Sequence, residues 1–377
     1  MTSLLISVLL ALLLVLSVLY WQKLEESERP LEPVEDDRIR PLLRGLNYLL
    51  SEQPDKALQE IVRVARLRSE ATEVYMFLGE MFRNKGEFGR AVRIHQNILA
   101  RPDVSSTLFI EVQFALATDF QTGGLIDRAV RHYHKVLEVQ PSHLGSLKSL
   151  LRIHEQTAEW AQAIDLLKRV EQLENKKDNF HHAYLMAEIA EIALQHGDLE
   201  LALKQAKTSC SLASDCIHAY LVFMHSALQL QDSVSLMQGM DAMAEAAPDF
   251  LFLLIPVILP TDHATYETTF LQYWQQYKNA ELALAWLEYV AKHDALEAAA
   301  SLQEKLVFRP DSLRDALRLA ALFSDDSGMR EHARAWRLQM KHYQCQQCGV
   351  QIERLRWQCP QCHAWGSMYA IRMDHEG

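Results

Sequence analysis

A small residue returns along this chain at nearly constant distance. Ala57, Ala91, Ala129, Ala163 and Ala202 are separated by 34, 38, 34 and 39 residues. A period of this length marks a stack of helix pairs, each of which buries its apolar face only against its neighbours. A second column fixes the register. Twelve residues before each alanine stand Gly45, Gly79, Ala117, Leu151 and Ala190, and nine before stand Tyr48, Phe82, Phe120, His154 and Ala193. Two helices approach closely only where both present small side chains, and a ring fills the adjoining gap.

Thirty-four residues is the period of the tetratricopeptide helix pair, and the longer steps fit insertions of four or five residues in connecting loops. The segment Glu73–Pro102 shows the pattern best, with Gly86 at its turn and a closing proline, where a helix must stop. Past Ala202 the pattern decays: Leu236 follows at 34, but Ala283 and Ala333 come at 47 and 50. The segments Tyr273–Val290 and Ser312–Lys341 still read as helix–turn–helix. The expected fold is all-α, a tetratricopeptide-repeat solenoid over residues 42–341 with five clear pairs and two or three degenerate ones. Phe250–Leu259 is ten apolar residues containing Pro256, too short to span a bilayer and expected as a buried helix. Only 13 glycines in 377 residues agree with long helices. The net charge of −11 excludes a general nucleic-acid binder, which needs a basic footprint.

From Thr2 to Trp21 no residue is charged, and about twenty helical residues span the roughly 30 Å of a hydrocarbon core. A cleaved signal peptide would carry a basic start and a small-x-small cleavage pattern, and neither is present. Residues 1–21 therefore read as a transmembrane helix. Lys23, Arg29, Arg38 and Arg40 follow the segment and none precedes it, so the positive-inside rule leaves the bulk of the chain in the cytoplasm. Residues 22–41, with Pro30, Pro33 and Pro41 among many acidic residues, read as an extended tether.

The sharpest chemical signal lies in residues 342–377, a small metal-binding module. Cys345-x2-Cys348-x10-Cys359-x2-Cys362 places two pairs of thiolates on two tight turns, enough for a tetrahedral four-sulfur shell around one metal ion. Zinc and iron both suit such a shell. The spacer Gly349–Gln358 is long enough for a small hairpin, and so minimal a module needs its metal to hold together. Two disulfides would not persist in the cytoplasm, and a redox pair would not require the second turn. His342 and His363 flank the turns but are surplus to a closed shell. Cys210 and Cys216 lie among the repeats and read as small buried apolar residues. No HExxH, nucleophile triad, P-loop or GxGxxG occurs, so no catalytic residue is assigned and the chain reads as a non-enzyme. Arg330, Arg334, Arg337 and Lys341 line one helix face, a solvated stripe or a contact for an acidic partner or for the module.

The order of anchor, repeats and four-cysteine tail resembles the family of lipopolysaccharide assembly protein B. The residues that carry the resemblance are Gly45–Ala57 (GLNYLLSEQPDKA), Arg93–Gln96 (RIHQ), Glu159–Asp165 (EWAQAID), Tyr343–Trp365 (YQCQQCGVQIERLRWQCPQCHAW) and Ala370–Arg372 (AIR); residues 217–310 carry little of it. The resemblance implies a rubredoxin-like, zinc-ribbon module with Cys345, Cys348, Cys359 and Cys362 as metal ligands, packed on the repeats. It also implies a single-pass protein of the bacterial inner membrane. Such a protein would act as an adaptor that helps a membrane AAA+ zinc protease degrade the deacetylase committing flux to lipid A, alongside other lipopolysaccharide assembly proteins. A homodimer stays open. Two other functions fit the residues: a generic tetratricopeptide scaffold of a membrane complex, which leaves the tail unexplained, and a rubredoxin-type electron carrier.

Overall fold

The computed structural model describes residues 72–371 except 103, 260–262, 294–295, 311, 325 and 340–341. The expected transmembrane segment, the tether and the first repeat fall outside these residues, as do Lys341 and the side chains of Arg334 and Arg337 on the basic stripe. Among the described residues no helix is long and apolar enough to cross a membrane.

The chain divides into two compact units that meet in sequence at Pro141 and Ser142. In the first, α1 (Thr72–Asn84) pairs with α2 (Phe88–Leu99), and α3 (Ser106–Thr122) with α4 (Ile126–Val139). The second opens with three further pairs: α5 (Leu144–Gln156) with α6 (Trp160–Glu174), α7 (Asn179–Gln195) with α8 (Leu199–Leu212), and α9 (Ile217–Gln229) with α10 (Ser233–Ala246). Among the described residues, all of the predicted columns but His154 lie in the core. Ala91, Ala117, Ala129, Ala163, Ala190 and Ala202 are wholly buried, and Phe82 and Phe120 nearly so.

All five turns close alike. The amide three residues past the helix end donates to a carbonyl five residues back: Glu87 to Phe82, Leu125 to Phe120, Glu159 to His154, Asp198 to Ala193 and Asp232 to Ala227. This is the Schellman cap, which needs a left-handed residue between helices. Glycine supplies it at Gly86, Gly124 and Gly197, whereas Ala158 and Gln231 take positive φ themselves. The repeated feature is thus the backbone turn rather than the residue in it.

In the first unit a buried polar network ties three helices. Asp119 of α3 accepts from Arg83 of α1 at 2.9 Å and pairs with His95 Nδ1 of α2 at 2.5 Å. His95 occupies a core column shared with Tyr133, Leu167 and Ala206. Gly79 makes room for it, since a Cβ there would lie 2.3 Å from His95 Nε2.

Past α10 the regular pairs give way. A 3-10 helix over Pro248–Leu254 runs into the four-residue α11 (Ile255–Ile258), so the expected buried helix is buried but tightened and broken by Pro256. Helices α12 (His263–Tyr277), α13 (Ala280–His293), α14 (Leu296–Leu306), α15 (Leu313–Phe323) and α16 (Ser327–Gln339) complete the helical part. Phe270 and Trp286 are its largest fully buried side chains. A three-stranded antiparallel sheet follows in the order β2-β1-β3, from β1 (Tyr343–Cys345), β2 (Gln351–Ile352) and β3 (Met368–Ala370).

Candidate metal centre and its seat on the repeats

The two C-x-x-C turns are built alike. In the first, the Cys345 amide donates to Val350 O and the Gly349 amide to Cys345 O, both at 2.9 Å. In the second, the Cys359 amide donates to Ala364 O at 2.9 Å and the His363 amide to Cys359 O at 3.0 Å. The fifth residue of each turn is left-handed, Gly349 at φ 75° and His363 at φ 59°. His363 is therefore a turn residue, a role its sequence position did not disclose. The hairpin expected in the spacer forms elsewhere. Strands β1 and β2 flank the first turn, because pairing Tyr343 with Ile352 lets the cysteines sit at its tip.

These turns bring Cys345, Cys348, Cys359 and Cys362 together, with all four sulfurs within 4.8 Å of one another. Cys345 Sγ lies 3.6 Å from Cys362 Sγ, and Cys348 Sγ 3.6 Å from Cys359 Sγ. A metal–sulfur bond of about 2.3 Å in a tetrahedron puts sulfurs roughly 3.8 Å apart, so the donor set fits one metal ion. Burial opposes ionisation of Cys345, yet Ser367 Oγ at 3.3 Å and the amides of Cys348 and Gln347 outweigh it and bring its thiol down to about 6. Cys362 moves the other way, to about 12; the Ala364 amide favours its ionised form, but burial and the neighbouring sulfurs oppose it. Four thiolates at this spacing repel one another unless a cation joins them. Cys210 and Cys216 are remote from this cluster. Burial pushes both thiols up to about 12; Cys216 is fully buried and Cys210 only half-buried.

The module is seated on the helices by its aromatic residues. Trp365, three residues past Cys362, packs among Trp160 of α6 and His181 and Tyr184 of α7, with the Tyr184 ring centroid 5.6 Å away. Trp357, two residues before Cys359, stacks on His218 of α9 at 5.0 Å and 12°. Tyr369 packs on Phe250 at 5.1 Å. Gly366 approaches so closely that a Cβ would lie 2.5 Å from Phe180 Cζ. Polar contacts fix the pose. Gln358 donates to Glu155 at 2.9 Å, the other oxygen of Glu155 pairs with His181, and Arg314 of α15 donates to Ile371 O at 2.7 Å. Glu155 is buried and fully used. The resemblance implied a seat on the repeats, and the module takes it on α5–α9, where Trp160, Tyr184 and His218 present the ring faces, while Arg314 ties it to the later helices.

The fold and the four-sulfur cluster define a tetratricopeptide-repeat protein with a C-terminal rubredoxin-type metal module. Residues 74–103 match the tetratricopeptide repeat and residues 343–370 match the rubredoxin metal binding domain. Lipopolysaccharide assembly protein B of Escherichia coli (strain K12) is 26% identical over 97% of this chain and 98% of its own. The protein of that name from Haemophilus influenzae is 26% identical over 96% and 98%. Over nearly its whole length the chain is therefore similar to lipopolysaccharide assembly protein B, repeats and module included. Among solved structures, a tetratricopeptide repeat protein from Parabacteroides merdae aligns over 72% of this chain and 99% of its own, at 12% identity and a TM-score of 0.35.

Proposed function

We propose that this protein is an inner-membrane adaptor that limits lipopolysaccharide synthesis, by presenting the lipid A-committing deacetylase to a membrane AAA+ protease. The observation that carries the reading is the relationship to lipopolysaccharide assembly protein B along nearly the whole length of both chains, repeats and module included. In this reading Cys345, Cys348, Cys359 and Cys362 hold one metal ion, zinc or iron. The metal fixes the turns that carry Gln358 and Trp365 and so keeps the module on its seat. The protein works by binding, since stacked helix pairs offer extended surface for another protein and carry no chemistry of their own. Residues 1–21 anchor it in the inner membrane with the bulk in the cytoplasm, which raises the effective concentration of protease and substrate for each other.

The test is the deacetylase half-life after protein synthesis is blocked, with and without this protein. Depletion is expected to lengthen the half-life and raise lipopolysaccharide. An unchanged half-life with normal lipopolysaccharide overturns the adaptor reading in favour of the generic scaffold.

A further inference from the structure

Helix α13 reads ELALAWLEYVAK from Glu281 to Lys292, apolar on more than one side. Leu282, Trp286, Leu287 and Val290 point into the core. A helix apolar all round is one that is buried all round, yet the opposite face of α13 is only half-buried. Glu281, Ala285, Glu288, Tyr289 and Lys292, at i, i+4, i+7, i+8 and i+11, line that face. Two cavities of about 340 and 1040 Å³ lie along it and share Pro256, Ala285 and Glu288, so they form one continuous furrow. Its walls are apolar, with Leu253 and Pro256 on one side and Leu317 and Leu322 on the other. Leu296 at the mouth is 45% exposed.

Charge divides the furrow into two ends. At the inner end Glu281 accepts from Arg314 at 2.7 Å and from Arg318 at 2.6 Å, and Arg318 also holds both oxygens of Glu288. Those four charges are paired with one another, and Glu353 lines the same end. At the mouth stand Lys292 and Arg330, neither in an ion pair among the described residues. The furrow thus offers a small-residue floor, apolar walls and a cationic rim.

We infer that this furrow binds an acidic amphipathic helix of a partner protein, with apolar side chains on Ala285 and carboxylates at Lys292 and Arg330. The inference rests on the adaptor reading and names a surface for it. The stretch Glu281–Lys292 rises roughly 17 Å, about three helical turns, and ridges of a helix fit the grooves between α13 and its neighbours. Cationic rim groups would meet the carboxylates and exclude basic segments by repulsion.

The test uses the full, metal-loaded chain and a fluorescein-labelled peptide of about fourteen residues, with leucines on one helical face and glutamates on the other. A twin peptide carries lysine for glutamate. The acidic peptide should bind and the basic twin should not. K292E/R330E should weaken the acidic peptide about tenfold, equivalent to about 1.4 kcal/mol, and should admit the basic twin. Ala285→Phe, which fills the floor and leaves the rim intact, should weaken binding too, with circular dichroism confirming the fold. Equal binding of both peptides, indifference to both variants, or binding that appears only after residues 372–377 are removed would each overturn the inference. In cells, a deacetylase half-life normal in K292E/R330E but altered by deleting the whole protein would reject the furrow and keep the adaptor. No effect of the deletion itself would reject the adaptor.

Discussion

Gly366 separates the seating of the module from its capacity for metal. It sits at φ 55°, and a Cβ there would lie 2.5 Å from Phe180 Cζ and 2.7 Å from the Tyr184 hydroxyl. Replacement by alanine would impose a left-handed conformation costing about 1–2 kcal/mol, and would force two packed rings aside at about 1–3 kcal/mol. The sum, roughly 2–5 kcal/mol, falls on the docked state and spares the four sulfurs. Because each 1.4 kcal/mol is a factor of ten, the undocked population should rise at least about 30-fold. The assay is limited proteolysis of the tail under conditions where cleavage is slow against reclosing, with metal content measured in parallel. Gly366→Ala should be cleaved much faster at unchanged metal stoichiometry. Gly349→Ala is the control: it is equally left-handed at φ 75°, but the nearest atom to its Cβ is Gln344 Nε2 at 3.8 Å. It should show the conformational cost alone. If Gly366→Ala is cleaved no faster than Gly349→Ala, the close approach to Phe180 and Tyr184 does not hold the module, and the reasoning fails.

Replacing Cys345 and Cys348 by serine should release the metal and free the tail to protease; unchanged metal content in that double variant would sink the ligand assignment. Acid should weaken the first unit through His132. Burial and the nearby Lys135 and Arg131 lower it from 6.5 to about 4, so the unfolded chain takes up its proton first. The stability it gives is complete above about pH 6.5 and is lost as pH falls towards about 4. The urea midpoint should therefore drop between pH 7.5 and 5, and less so in His132→Gln, where Gln113 retains a hydrogen-bonding neighbour; an identical drop in the variant would refute this.

The repeats were legible because close helix approach demands small residues at one depth. Ala91, Ala129, Ala163 and Ala202 meet that demand, and all are wholly buried. The meeting of the four cysteines was legible for a similar reason, since two C-x-x-C turns fix the spacing that brings their sulfurs together. What stayed hidden depends on long-range pairing. Nothing near Trp365 in sequence announces Trp160 or Tyr184, and Gln358 meets Glu155 across 203 residues. The His95–Asp119–Arg83 network was missed, although a signal existed: His95 falls in the column of Tyr133, Leu167 and Ala206, where a polar side chain must find a partner, and Gly79 opposite leaves it space. The turn role of His363 was masked because its counterpart, Gly349, is a glycine and His363 is not. Past Ala202 the spacing drifted because the 3-10 helix and α11 interrupt the alternation of pairs.

Stacked helix pairs are ordinarily a chain of nearest-neighbour bonds, so each unit can open while those beyond it stay closed. The seated module changes that arithmetic in the second unit. Through Gln358, Trp365, Trp357, Tyr369 and Ile371 it joins Glu155, Tyr184, His218, Phe250 and Arg314, which lie far apart in sequence. A cross-tie of this kind turns a zipper into a closed loop: opening one pair strains the others, and fraying gives way to all-or-none release. A metal ion bound by the four sulfurs would then set the cooperativity of helices that never touch it.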